Sequence, residues 1–70
     1  MSGSDGEGLS QAQLEILSLL STGLTVQQVA TRTYRSHDTV KSHLRLAYRT
    51  LGVPNGTAAV ALLLRRGVIR

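Results

Sequence analysis

From Thr39 to Val53 the chain reads TVKSHLRLAYRTLGV, a segment that as a helix must divide into two chemically opposite faces. At 3.6 residues per turn, Val40, Leu44, Ala47 and Leu51 fall in one narrow arc, with His43 and Tyr48 on its flanks. Lys41, Ser42, Arg45 and Arg49 lie across the opposite side. The apolar arc requires a core, and the cations require an anion. Spaced at four-residue intervals, the cations form a ridge about 12 Å long at 1.5 Å per residue. A B-DNA major groove, about 12 Å wide, admits one such helix. The plainer explanation is a solvated basic face on an ordinary amphipathic helix. The segments on either side decide between the two.

The whole chain is 70 residues, the size of one small domain with a thin core. It holds no cysteine, which excludes disulfides and thiolate metal sites and points to a reducing cytoplasm. No apolar run approaches the roughly 20 residues of a membrane span, and the polar N-terminus lacks a signal-peptide pattern, so neither a membrane nor an export route is expected. Net charge is +4, but Asp5 and Glu7 lie in the leading MSGSDGEG. Residues 9–70 therefore carry eight cations against Glu15 and Asp38, a net +6, which suggests a polyanionic partner. Five of those cations, Arg32, Arg35, Lys41, Arg45 and Arg49, fall within 18 residues, and Arg65, Arg66 and Arg70 close the chain. With two Tyr and no Phe or Trp, a single-strand binder that stacks bases is disfavoured and duplex DNA is the better match.

Taken in order, residues 1–8 are Gly, Ser and acidic residues with nothing to bury, read as a disordered arm. Ser10 with Gln13 makes a capping-box start for a first helix over 11–21, whose stripe is Ile16, Leu17 and Leu20 and which Gly23 ends. Leu14 and Leu19 fall outside that stripe, as edges of a wide apolar face or as contacts for something else. Thr25 caps a second helix over 26–32 that buries Val29 and the small Ala30, where two helices cross closely. Ser36 caps the third helix, with Asp38 in its first turn and Gly52 at its end. After the turn Pro54-Asn55-Gly56, Thr57 is expected to cap a fourth helix over 58–66 that packs through Ala59, Val60, Leu62 and Leu63. Gly67 stops it, and Val68-Ile69 cover the bottom of the core. The expected fold is all-α with four helices. A brief helix, a tight connection and a longer basic helix form a helix-turn-helix, whose second helix enters the major groove.

The order Leu9-Ser10, Glu15-Ile16-Leu17, Leu20, Gly23-Leu24-Thr25, Val29-Ala30, Ser36, Thr39-Val40-Lys41, His43-Leu44, Tyr48-Arg49, Leu51-Gly52-Val53 and Ala59-Val60 resembles the LuxR-type helix-turn-helix DNA-binding domain, over residues 9–69 and without a gap. The resemblance implies a four-helix fold in which helices 2 and 3 form the helix-turn-helix and helix 4 commonly makes a dimer. It also implies that Lys41, Ser42 and Arg45 reach base edges, that Thr25, Val26, Gln27, Thr39 and Arg49 touch phosphates, and that His43 is structural. The chain departs from the pattern at Ala12-Gln13, where the family usually has Arg-Glu, and at Gly56, where it frequently has Arg. Thr33 and Arg35 stand where the family buries Leu and Ile or Val, so Tyr34 is expected to fill part of that space and Arg35 to point outward to a phosphate.

The function expected is that of a sequence-specific transcriptional regulator that binds double-stranded DNA as a homodimer, without a sensor domain. Its place would be the cytoplasm, at the bacterial nucleoid or in the host of a phage. Leu46, at the rim of the basic face, would meet a thymine methyl. The run Ala61 to Leu64 exceeds what one thin core needs, and Ala61, Leu64 and Arg65 make the expected dimer seam. No catalytic residue, metal or cofactor is expected. His37 and His43 are six residues apart, on different helix faces, with no nucleophile or carboxylate cluster beside them. Two rivals share the fold. One is a module like sigma-factor region 4, working beside RNA polymerase. The other is an adaptor that binds another regulator through Leu14, Leu19, Leu46 and Leu64.

Overall fold

The computed structural model describes residues 8–69, which form four helices: α1 (Gln11–Ser21), α2 (Val26–Thr33), α3 (His37–Leu51) and α4 (Gly56–Arg65). Each begins where a side chain satisfies amides that the helix cannot. The Ser10 hydroxyl accepts from Gln13 N at 3.1 Å, and Gln13 Oε1 accepts from Ser10 N at 2.8 Å. Thr25 and Gln28 form the same reciprocal box at the start of α2, and the Ser36 hydroxyl accepts from Thr39 N at 3.0 Å. The fourth start differs from the sequence expectation. Asn55, not Thr57, is the cap: its Oδ1 accepts from Ala58 N at 2.9 Å, so the helix opens at Gly56 and not at residue 58.

Three of the ends share one geometry. Arg35 N donates to Ala30 O, Val53 N to Tyr48 O and Val68 N to Leu63 O, each with a left-handed residue just before the donor. That residue is glycine in two cases, Gly52 and Gly67. In α2 it is Tyr34, with φ of 57°, an uncommon conformation for an aromatic residue. Consequently α2 runs one residue further than expected, and Tyr34 does not fill the space vacated by the family's apolar residues. It is 97% exposed, because the left-handed turn swings it outward. Thr33 is half-buried there and donates its hydroxyl proton to Val29 O at 2.8 Å.

The core lies where α1, α2 and α4 close on α3. Ile16, Leu17, Val29, Val40, Ala47, Ala59 and Leu63 are fully enclosed, and Leu9, Ala30, Leu44 and Ile69 nearly so. Ala30 and Ala47 occupy enclosed positions on α2 and α3, where a small side chain lets backbones approach. Leu14, Leu19 and Leu20 are half-buried against this cluster, which makes the first two edges of a wide apolar face. The arm read as disordered over 1–8 lies outside the described residues except for Gly8, a turn residue, and Arg70 lies outside them as well. No helix among the described residues is long and apolar enough to cross a membrane.

This burial pattern separates two leucines of the chain. Leu17→Ala should lower the unfolding free energy by about 2–5 kcal/mol, the usual cost of emptying a packed site. Leu64→Ala, at a position 46% exposed, should change it by no more than about 0.5 kcal/mol in dilute solution. Urea unfolding followed by far-ultraviolet circular dichroism checks both.

Candidate nucleic-acid interface

Burial of Val40, Leu44 and Ala47 fixes the rotation of α3 about its axis. With that stripe inward, Lys41, Ser42, Arg45, Leu46 and Arg49 are all exposed, and Leu46 keeps 51% of its surface. The four expected base-reading residues therefore share one exposed face with Arg49. At the start of α2, Thr25 and Gln27 are exposed and Val26 is half-buried. A cleft of about 350 Å³ joins the two helices, lined by Val26, Lys41, Leu44, Arg45 and Tyr48. The α2 N-terminus and the basic ridge are thus neighbours in space. Thr39 is exposed near the start of α3, where its Oγ1 accepts from the Ser36 hydroxyl at 2.8 Å.

Arg35, expected at a phosphate, is engaged within the protein. Its Nη1 donates to Glu15 Oε1 at 3.1 Å, across from α1. His43 is half-buried, and its backbone carbonyl accepts from Gln13 Nε2 at 3.4 Å. His37 is exposed, and among the described residues no cluster of three His, Cys, Asp or Glu stands ready for a metal.

A second groove, of about 590 Å³, runs from the end of α1 across Val26 and Tyr48 to α4. Ala61 and Leu64, expected at a dimer seam, line it, and Arg65 is exposed one residue further on. Of the four leucines expected to serve an adaptor, Leu14 and Leu19 are half-buried against the core, whereas Leu46 and Leu64 stand out on separate helices.

Tyr48 is the site residue that the sequence reading placed only on the flank of the apolar arc. It lines both the cleft and the groove. Its position three residues after Arg45 and seven after Lys41 sets it on the border between the buried and basic faces. A Cβ added at Gly56 would lie 2.9 Å from its hydroxyl oxygen, so glycine there leaves room for the ring. Burial raises the Tyr48 phenol above its ordinary pKa of 10.0 by penalising the phenolate. The folded state therefore holds this proton more tightly than the unfolded state does. Stability from this group is intact below pH 10.0 and falls as pH climbs through the raised value. Tyr48→Phe should lack that alkaline loss, a difference visible in unfolding midpoints taken on both sides of the transition.

Residues 7–63 match the GerE family of bacterial regulatory proteins, the luxR family. The probable transcriptional regulatory protein SgaR of Hyphomicrobium methylovorum is 46% identical over 56 residues, covering 80% of this chain and 26% of SgaR. The HTH-type transcriptional regulator AlkS of Pseudomonas putida is 34% identical over 64 residues, which is 91% of this chain and 7% of AlkS. The probable transcriptional regulatory protein NarL of Mycobacterium tuberculosis is 33% identical over 61 residues, or 87% of this chain and 28% of NarL. The chain thus spans little more than a quarter of these relatives at most. The solved structure of the transcription factor GerE superposes with a TM-score of 0.83 at 27% identity, covering 89% of this chain and 92% of GerE. With the helix-turn-helix, the buried stripe and the exposed ridge in these positions, the chain belongs to the luxR family of bacterial regulatory proteins.

Proposed function

We propose that the chain is a sequence-specific transcriptional regulator that lays α3 in the major groove of double-stranded DNA and acts as a homodimer. The observation that carries this reading is the exposed ridge of Lys41, Arg45 and Arg49 across the helix from a buried stripe. A helix held by one face presents the other at a fixed angle, which base reading demands. Arg45 and Lys41 donate to guanine O6 and N7, Ser42 makes a shorter polar contact, and Leu46 meets a thymine methyl. Thr25, Val26, Gln27, Thr39 and Arg49 hold phosphates and set the register, and Arg35 joins them under the condition argued below. Two copies pair along α4 through Ala61, Leu64 and Arg65. RNA polymerase or another regulator is a further partner, in the cytoplasm.

Selection from a randomised duplex library at about 150 mM salt tests the reading, because at low salt any basic domain binds DNA. Two related half-sites about one helical turn apart are expected. A single enriched half-site would remove the homodimer, and no enrichment would remove sequence-specific binding in favour of the adaptor. On the selected site Arg45→Ala should cost about 1–3 kcal/mol and relax base preference. Arg49→Ala should weaken all sequences alike and flatten the salt dependence by about one unit. Equal losses on selected and random DNA for both variants would overturn Arg45 as a base reader.

A further inference from the structure

The Glu15–Arg35 pair joins α1 to the turn that leads into α3, between residues 20 apart in sequence. The arginine's backbone is fixed, since its amide closes the end of α2 on Ala30 O at 3.0 Å and the next residue, Ser36, caps α3. Its backbone therefore sits beside the entry to the helix that carries the basic ridge, and its guanidinium reaches from there to Glu15 on α1. Nor is the pair sealed away: the two side chains keep 26% and 53% of their surfaces for arginine and glutamate respectively. Among the described residues the acidic side chains are Glu15 and Asp38, and Glu15 is the one that engages a cation of the helix-turn-helix.

We propose that Glu15 competes with the DNA backbone for Arg35, and so sets how many phosphates the chain engages. The proposal rests on the DNA-binding reading above. Exposed ion pairs are weak and salt-screened, so a carboxylate at this position yields to a denser anion without holding the arginine permanently. A duplex is such an anion, with a charge about every 1.7 Å along its axis. Each phosphate contact adds to binding on any sequence, whereas the ridge residues discriminate among bases. A carboxylate that takes away part of one backbone contact therefore lowers binding to every sequence alike, random DNA included, and leaves base reading intact. Glu15 is in this sense an affinity-setting residue that need not touch DNA.

The test is titration of a random-sequence duplex with the full chain at several salt concentrations. Four proteins are compared: the parent, Glu15→Gln, Arg35→Gln and the double variant. Glu15→Gln should bind severalfold more tightly and steepen the slope of log K against log salt by up to about 0.9, the share of one phosphate. The double variant should return to the parental slope or below it, because the gain needs the arginine. If Glu15→Gln and the double variant steepen alike, Glu15 acts only through its charge at a distance and the competition is wrong. An unchanged slope in Glu15→Gln, with the parent still binding, also overturns it and leaves the DNA reading standing. Loss of binding in all four would overturn the DNA reading itself, and the competition with it. Unfolding curves of the same four proteins, with Glu15→Ser as a second neutral replacement, separate these outcomes from misfolding.

Discussion

Everything this domain presents to its surroundings depends on the burial of three side chains on α3, Val40, Leu44 and Ala47. Enclosing a Val or Leu side chain is worth roughly 1.5–3 kcal/mol. Turning the helix by one residue, about 100°, would expose that stripe and push Lys41 or Arg45 toward the core, where an unpaired charge costs several kcal/mol. Both effects have the same sign. The rotation of α3 is accordingly well determined even though the core is thin, and the direction of the basic ridge is inherited from an apolar contact on its far side.

Gln13 shows how a small core meets its polar obligations. It is a buried polar residue, yet its amide oxygen takes the Ser10 N–H and its amide nitrogen reaches the carbonyl of His43 on α3. Among the described residues no enclosed side-chain polar atom lacks a partner. One side chain thus caps α1 and ties it to the middle of α3. The family's charged pair at positions 12 and 13 is therefore dispensable for capping here, because a neutral amide accepts the Ser10 N–H as a carboxylate could and adds a second bond as a donor.

Much of this was legible in the sequence because the deciding physics was local. Ser10 with Gln13, Thr25 before Val26, and Ser36 before His37 declare helix starts within a window of four residues, and Gly52 and Gly67 declare ends. The apolar arc of α3 likewise follows from helical period alone. What escaped depended on neighbours distant in sequence or on a close contest between similar groups. Asn55 and Thr57 both make good caps, and in the fold it is the Asn55 side chain that accepts from Ala58 N. Tyr34 looked like a space filler until the left-handed turn carried it outward, and Arg35 looked free until α1 brought Glu15 beside it. The double position of Tyr48, between cleft and groove, needs α2 and α4 to be in place before it has meaning.

The absent side chain at Gly56 reaches further than its own helix. The space it leaves is occupied by the Tyr48 hydroxyl, and that same ring forms a wall of the cleft beside Lys41 and Arg45. Position 56 is on α4, apart from the exposed ridge, yet its occupant decides where that wall stands. Positions 48 and 56 are therefore a mechanical unit: a residue with a Cβ at 56 displaces the ring, and a smaller residue at 48 releases 56 from its constraint. A survey of substitutions confined to α3 would read the ridge and overlook the lever that moves its edge.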